Sequence, residues 1–247
     1  MPELLTLLIL YATGCFAGAV NVMAGGGSTL SLPVLIMLGV DAGVANGTNR
    51  IAITIQNVAA TTTFARERRV EWARCLRYAA WALPGAIIGS FTATQLADEW
   101  TERVIGILLI LVVLSMAWPA ARKHTAGGAL RSHWMGPALL GIGFYGGFIQ
   151  MGVGFFFMAA FYHLMQFNLV RTNIHKVVVI LLYTGPTLLV FALSGKVDWG
   201  LGLALAAGNA TGAILAARLA IRRGEKVIRL VLMIAVVLMA MRLLSVI

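Results

Sequence analysis

The chain has 247 residues, of which 60% are hydrophobic and 11% are charged. Soluble domains carry about 25% charged residues, so this composition excludes a water-soluble fold and predicts an all-α polytopic membrane protein. The net charge of +10 comes from short loops between apolar segments, where basic residues set membrane topology, so we expect no nucleic-acid partner.

Ten mostly apolar segments follow one another and form two sets of five. The first set covers 3–23, 28–39, 44–66, 73–95 and 103–120. The second set repeats the first at a constant offset of 127 residues, as the pairs Gly14/Gly141 and Trp72/Trp199 illustrate. The sequence therefore predicts a first transmembrane repeat (1–120), a linker (121–133) and a second transmembrane repeat (134–247).

The second segment of each repeat, 28–38 and 155–165, is too short to cross a bilayer. At 1.5 Å per residue, about eleven residues reach roughly half of a 30 Å hydrocarbon core. Each is either a half-helix after a break or one arm of a re-entrant hairpin. We expect about eight full transmembrane helices plus these broken or re-entrant half-helices.

Basic residues concentrate in three loops, 66–77, 122–133 and 218–229. By the positive-inside rule, all three loops are expected in the cytoplasm. Loop 66–77 aligns with the region around Lys196, where the charges balance and predict the opposite side. The two repeats are therefore predicted to have inverted topology, as in many secondary transporters.

A break in the apolar sequence follows the first segment of each repeat. In the first repeat it contains Gly25, Gly26 and Gly27, after which Ser28 and Thr29 begin a new helix. Irregular backbone at membrane depth is tolerated only where it is buried in protein or lines a wet cavity. Because free N–H groups at a helix start favour an anion, we interpret the glycine run as part of an anion site.

Other glycines have a different interpretation. Pairs that are four residues apart let two membrane helices approach closely, and we expect packing rather than binding from them. These pairs are Gly14/Gly18, Gly85/Gly89 and Gly143/Gly147.

Each third segment opens with a polar cluster that includes a cation. The clusters are Asn46-Gly47-Thr48-Asn49-Arg50 and Asn173-Ile174-His175-Lys176. Charges inside a membrane are costly and usually functional, although snorkelling of Arg50 and Lys176 to the interface is the alternative. The candidate substrate-binding residues are Gly25, Gly26, Gly27, Ser28, Thr29, Asn49, Arg50, Gln56, Asn173, His175, Lys176 and Tyr183.

The acids and histidines argue against an enzyme. All nine Asp and Glu lie in or near loops, and His124, His133 and His163 have no metal-ligand spacing. The sequence contains no P-loop motif, so no ATPase is expected within this chain. We predict no catalytic residue, no metal and no cofactor. A channel is harder to separate from a carrier, because helix N-termini can also line an anion pore.

A family resemblance adds to this interpretation. The residues Gly14-x3-Gly18 and Gly25-Gly26-Gly27, followed by Pro33-x-Leu35 and Ala45-x-Gly47-Thr48, resemble the TauE/SafE family, the sulfite exporter family of bacterial inner membranes. The resemblance covers essentially the whole chain. It implies a multi-pass protein of the cell inner membrane that moves sulfur-containing anions such as sulfite or sulfonates. In the second half, Gly152-Val153-Gly154 replaces the usual triple glycine.

Together these features predict a secondary active transporter of a small sulfur-containing anion, working by alternating access between inverted repeats. An anion channel, or a transporter of a small carboxylate without sulfur, is the alternative. A coupling ion, either a proton or sodium, and a homodimer are left open. The lipid bilayer is the partner that the composition itself requires.

Overall fold

In a computed structural model of the chain, residues 3–67, 69–101, 103–105, 107, 134–224, 226–228 and 230–231 are described. Every regular element within these residues is helical. The elements are α1 (Glu3–Met23), α2 (Ser28–Met37), α3 (Ala42–Arg66), α4 (Trp72–Gln95), α5 (Met135–Phe148), α6 (Val153–Ala159) with a following π-helical turn (Ala160–Leu164), α7 (Leu169–Leu193) and α8 (Trp199–Arg223). The predicted fifth segments, 103–120 and 230–247, lie largely outside the described residues, and loop 122–133 lies wholly outside them.

Among the described residues, three helices are long and apolar enough to cross a membrane: α1 with 21 residues, and α7 and α8 with 25 each. Helices α3 and α4 have similar lengths of 25 and 24 residues but are less apolar along their length. In α3 the reason is a set of buried polar side chains that includes Asn46, Asn49 and Arg50. Three such helices support a multi-pass membrane protein, and the count of eight full spans stays a prediction.

Each short second segment is the return arm of a hairpin. Helix α2 folds back along α1, because Gly27 lies so close to the carbonyl oxygen of Ala17 that a Cβ would not fit between them. Helix α6 folds back along α5 in the same way, with the rings of Tyr145 and Phe156 5.1 Å apart between centroids. The hairpin tips are residues 24–27 and 149–152, which we call the first tip and the second tip.

Helices from the two predicted repeats pack against each other along glycine-lined faces. Helix α1 lies along α8, where Gly14 and Gly18 contact the backbone around Asn209. Helix α4 lies along α5, where a Cβ at Gly85 or at Gly143 would overlap a carbonyl of the facing helix. These contacts confirm the predicted close packing at the glycine pairs. The first helix of each repeat thus packs on the fourth helix of the other.

Several structural features recur along the chain at the offset expected from the sequence. The starts of α3 and α7 are 127 residues apart, as are those of α4 and α8. Positive φ angles recur at the same offset, at Gly25 and Gly152 (92° and 66°) and at Gly39 and Gln166 (89° and 55°). Helix α6 begins two residues earlier in its hairpin than α2 does, since their starts are 125 residues apart.

Candidate functional site

The tips of the two hairpins meet each other. Gly25 in the first tip and Gly154, at the start of α6, approach so closely that a Cβ on either would overlap the backbone of the other. The Ser28 hydroxyl joins the two sides, since it donates to the carbonyl of Gln150 (3.3 Å) and accepts from the N–H of Gly152 (3.1 Å). The ends of α1, α2, α5 and α6 therefore converge at one place, an arrangement that transporters with discontinuous helices use for binding.

The first tip contains the predicted glycine run. Gly25 has a φ of 92°, a conformation that glycine adopts without steric cost. The Thr29 hydroxyl donates to the carbonyl of Gly26 (2.6 Å). Gly27 immediately precedes α2 and packs against α1. The run therefore serves close backbone contact as well as the start of a helix.

Arg50, fully buried in α3, caps the end of α5. One terminal nitrogen of its guanidinium donates to the carbonyl of Gly146 (3.2 Å), to Gln150 Oε1 (3.2 Å) and to Thr187 Oγ1 (3.1 Å). The other terminal nitrogen donates to the carbonyl of Gly147. A cation is stabilised at the negative end of a helix dipole. Of the three nitrogens in this side chain, Nε is the one without a hydrogen-bond partner among the described residues.

Further polar contacts complete the second tip. Asn46 Nδ2 donates to the carbonyl of Phe148 (2.8 Å), the last residue of α5. Gln150 Nε2 donates to Thr184 Oγ1 (3.2 Å). The second tip is therefore held by side chains from α3 and α7 together.

Lys176 makes the corresponding contact at the first tip. Its Nζ donates to the carbonyls of Asn21 (3.0 Å) and Val22 (2.8 Å) near the end of α1. It also lies 3.8 Å from Met158 Sδ in α6. The side chain is only 1% exposed. Each hairpin is thus capped by a cation from the third helix of the other repeat.

Arg50 and Lys176 lie on opposite sides of the tips, because α3 and α7 are antiparallel. Arg50 bonds Thr187 near the end of α7, whereas Phe64 near the end of α3 packs in one cluster with Ile174 near the start of α7. Thr187 is eleven residues beyond Lys176, or about 16 Å along the helix. The predicted site residues therefore divide into two groups rather than forming one.

The remaining predicted residues of α3 and α7 take different places. Asn49 Oδ1 accepts from the Ser31 hydroxyl of α2 (2.7 Å). Gln56 Oε1 accepts from Asn209 Nδ2 of α8 (3.2 Å), halfway along the bundle. The Tyr183 hydroxyl is buried beside the end of α5. These three side chains lie in the protein interior and connect α3 and α7 to their neighbours.

His175 lies apart from the tips, in an aromatic cluster. Its Nδ1 donates to the carbonyl of Arg171 (2.9 Å), one turn back in the same helix. Its ring packs against Phe167, Phe161 and Tyr78 at centroid distances of 4.8, 5.9 and 5.9 Å. In this arrangement His175 contributes to packing.

Asn173 is the least satisfied polar side chain of the predicted set. It is fully buried, and neither its Nδ2 nor its Oδ1 has a hydrogen-bond partner among the described residues. A buried unsatisfied polar group costs about 1–3 kcal/mol. Asn173 precedes Lys176 by one helical turn. At the second tip Asn46 Oδ1, Arg50 Nε and the Tyr183 hydroxyl likewise lack a hydrogen-bond partner among the described residues.

Sequence reasoning missed three residues that contact the predicted site: Ser31, Thr187 and Asn209. Each is a small polar residue inside an apolar helix, and such side chains commonly bond their own helix. Thr187 does so as well, donating to the carbonyl of Thr184 (3.0 Å). No local signal distinguishes such residues from ordinary helix residues, because only the fold brings the partner helix to them.

The two buried cations have no buried acidic partner. No Asp or Glu among the described residues is buried, and the ion pairs within this part of the chain all involve Glu71. A helix C-terminus carries roughly half a negative charge. Two helix ends therefore offset about one of the two positive charges of Arg50 and Lys176, which leaves roughly one positive charge around the tips.

Polar contacts join separate elements at both ends of the bundle. At one end Arg171 of α7 binds Glu71, before α4, through two hydrogen bonds of 2.7 and 2.9 Å. At the other end Lys196 donates to the carbonyl of Leu96 (3.2 Å), and Asp98 accepts from the backbone N–H of Gly43 (3.2 Å). Between these ends, the residues of both tips are buried.

The fold and the site define a helical multi-pass membrane protein in which two broken hairpins meet beside buried cations, a class of architecture found in secondary transporters. The sequence profile described as "Sulfite exporter TauE/SafE" matches residues 10–243. The chain therefore belongs to the TauE/SafE family, which confirms the resemblance.

Curated relatives agree with this assignment. The chain is 28% identical over 248 residues to the "Probable membrane transporter protein YfcA" of Escherichia coli K12, covering 99% of this chain and 91% of that protein. It is 27% identical to the "Probable membrane transporter protein ORF9" of Sinorhizobium sp, covering 97% and 92%. A "Probable membrane transporter protein" of Haemophilus influenzae is 26% identical, with coverage of 90% and 88%. These names indicate a membrane transporter rather than an enzyme, and no solved structure matches the chain.

Proposed function

We propose that the protein is a secondary active carrier of a small anion, with sulfur oxyanions such as sulfite or sulfonates as the substrate class. The observation that carries this proposal is the charge at the tips. Arg50 and Lys176 are buried with no buried acid among the described residues, and helix ends offset only part of their charge. A small anion supplies the missing negative charge.

The arrangement of the cations supports transport by alternating access. Arg50 and Lys176 lie on opposite sides of the meeting tips, since Arg50 binds Thr187, which is about 16 Å along α7 from Lys176. In this proposal an anion that leaves one cation reaches the other by crossing the tips. The N-termini of the return arms point to the same place and favour negative charge. In this mechanism the inverted repeats exchange conformations around the tips.

The sulfur chemistry rests on the family description, which names sulfite. Sulfite and sulfonates share a compact group of charged oxygens, which accepts hydrogen bonds from cationic donors and backbone N–H groups. Because Lys176 lies at the first tip and Asn173, one turn before it, has both amide atoms free of partners among the described residues, we place the first substrate contact there. Asn49 Nδ2, which lacks a partner among the described residues, is a further donor.

Counterflow in liposomes tests the proposed function. Vesicles loaded with sulfite are expected to take up external labelled sulfite faster than empty vesicles, with a rate that saturates. Chloride and acetate are the controls for anions without sulfur. Uptake that never saturates and gains nothing from internal sulfite would identify a channel, and saturable counterflow of acetate alone would identify a carboxylate carrier.

Replacing Lys176 by methionine is expected to lower sulfite counterflow at least tenfold. The substitution removes the charged donor proposed to bind the anion. A hydrogen bond to a charged group contributes about 1.5–3 kcal/mol, and about 1.4 kcal/mol corresponds to a factor of ten in affinity. Lys176→Arg should retain part of the activity. Lys226→Met, which replaces an exposed lysine just after α8, is the matched control and should stay near wild type. Full transport by a monodisperse Lys176→Met protein would rule out this role.

Glu71→Gln is expected to open the end of the bundle that contains the Glu71–Arg171 pair. The pair is about one-third exposed and contributes roughly 0.2–1 kcal/mol, so the population of the open state should rise by a few-fold. Cys75, fully buried in the first turn of α4, reports this opening. In a Cys15→Ala background, a maleimide should label it several times faster in the variant.

The control for this experiment is Glu67→Gln, which removes an exposed acid without an ion pair among the described residues. It should leave the labelling rate of Cys75 unchanged. Equal labelling of Cys75 in the Glu71→Gln protein and the unsubstituted background would show that the ion pair does not hold this end closed.

A further inference from the structure

A basic cleft lies at one end of the bundle, between the last turns of α3 and α8. Its volume is about 200 Å³, which is room for roughly six water molecules at about 30 Å³ each. Both helices contribute residues at i, i+3 and i+4, a spacing that puts side chains on one helix face. The lining residues are Thr63, Arg66, Glu67, Arg218, Ile221 and Arg222.

The cleft exists because α3 and α8 run parallel and end at the same level. Ile51 contacts Gly202 early in both helices, and Gln56 bonds Asn209 further along. Phe64 then packs in one cluster with Ala217. Two arginine-bearing helix ends are thereby held side by side by a packed interior, so the cleft does not depend on loop conformation.

The charges in the cleft are unbalanced. Three arginines face one acid, Glu67, and none of the three forms an ion pair with another described residue. The two helix C-termini contribute about half a negative charge each. The sum is roughly one positive charge, which matches a single phosphodiester. The Thr63 hydroxyl already donates to the carbonyl of Ala59 (2.8 Å), so the donors left for a ligand are guanidinium groups.

An apolar surface adjoins the cleft. Leu215 and Leu219 of α8 are 61% and 41% exposed, and they lie one to two turns before Arg222 on the same helix. In a membrane such leucines face acyl chains. Ile221 adds an apolar contact inside the cleft itself. The cleft therefore combines a charged end with an apolar side, a combination that suits a lipid better than a free ion.

We propose that this cleft binds the phosphate of an anionic glycerophospholipid, such as phosphatidylglycerol, with the acyl chains lying along α8. Arginine binds phosphate through paired donors, and basic pockets between membrane helices recognise anionic head groups. Basic residues that only set topology need not converge on one cleft. The placement of the cleft at the membrane surface rests on the proposed topology, but its occupancy is separate from the anion path at the tips.

Lipid retention by the purified full chain tests this proposal. Protein in mild detergent is given phosphatidylglycerol or phosphatidylcholine, and bound lipid is counted by native mass spectrometry while Tm is followed. We expect phosphatidylglycerol to be retained and to raise Tm by several degrees, and phosphatidylcholine to do neither. Inorganic phosphate and the deacylated head group form two further arms. If either raises Tm as much as the lipid does, the site is an ion site and the proposal is wrong.

Two matched triple variants separate the cleft from general surface charge. R66Q/R218Q/R222Q removes the three cleft arginines and should lower phosphatidylglycerol retention about tenfold. R69Q/R77Q/R223Q removes three other arginines and the same net charge, and should stay within twofold of wild type. Equal losses in both variants would overturn the proposal.

A single substitution at the exposed Glu67 should increase lipid retention rather than lower it, and it should leave the fold intact. Glu67→Gln removes the one carboxylate in the cleft, which repels a phosphate, and should increase phosphatidylglycerol retention several-fold. Unchanged or lower retention would contradict the proposed site. Because all these readouts measure lipid and not sulfite, they remain informative even if the proposed transport function fails.

Discussion

Arg50→Met is expected to abolish sulfite counterflow and to lower Tm by on the order of 10 °C. Methionine fills similar space but removes the donors that hold the carbonyls of Gly146 and Gly147. Breaking a buried charged network costs about 3–5 kcal/mol, and 1 kcal/mol corresponds to roughly 2–4 °C in a protein of 150–250 residues. The ring of Phe191, 4.3 Å from the guanidinium, would also lose its cation.

Arg50→Lys separates the structural role from the substrate role. Lysine keeps the charge but not the planar fork, so it reaches fewer of the four acceptors. We expect an intermediate Tm and counterflow that is reduced but measurable. The decisive comparison is stabilisation by sulfite, since a ligand that binds the folded state raises Tm with its concentration. A folded Arg50→Met protein that sulfite stabilises as strongly as it does wild type would exclude Arg50 from the anion site.

Gly25→Ala is expected to destabilise the protein more than Gly154→Ala, Gly141→Ala or Gly185→Ala. The new Cβ would overlap the backbone of Gly154, and overpacking costs about 1–3 kcal/mol. The φ of 92° at Gly25 adds strain of about 1–2 kcal/mol for a residue with a side chain. Gly154→Ala introduces only the backbone overlap and should destabilise the protein less than Gly25→Ala. Both variants should lose transport, because the tips can no longer meet.

Gly141 and Gly185 provide the controls for this experiment. A Cβ at either position meets no atom within 4 Å, and both lie in helices, where alanine is favoured over glycine by about 0.5–1 kcal/mol. Gly141→Ala and Gly185→Ala should therefore leave Tm unchanged or slightly raised. Measuring Tm by thermal unfolding in detergent gives the order of stability of the four variants. Equal stability of Gly25→Ala and Gly141→Ala would show that the tips do not touch.

Several features of the fold follow from local sequence. Glycines four residues apart, such as Gly85 and Gly89, predict close helix contacts, and the contacts are present. The glycine run at residues 25–27 predicts a break, and α1 ends just before it. These features could be predicted because the small size and conformational freedom of glycine act over a few residues and need no knowledge of distant partners.

Other features could not be predicted because they depend on how distant helices pack. Arg50 and Lys176 occupy similar places in their repeats, which suggested one shared site. Antiparallel α3 and α7 instead carry them to opposite sides of the tips. Helix α6 also begins two residues earlier in its hairpin than α2 does, without any break in the apolar sequence. His175 is a polar, titratable residue of the kind found in binding sites, but its ring packs among aromatic side chains.

The reciprocal capping of the hairpins has a consequence for biosynthesis. The first hairpin ends at Met37 and α7 ends at Leu193, so the hairpin leaves the ribosome roughly 155 residues before α7 is complete. At about 5–20 residues per second this is a delay on the order of ten seconds. During that time the carbonyls of Asn21 and Val22 lack the hydrogen bonds that Lys176 later donates. The first half of the chain therefore cannot reach its mature form. Insertion into the membrane and maturation of the fold are therefore separate events in time, and the nascent first half needs protection between them.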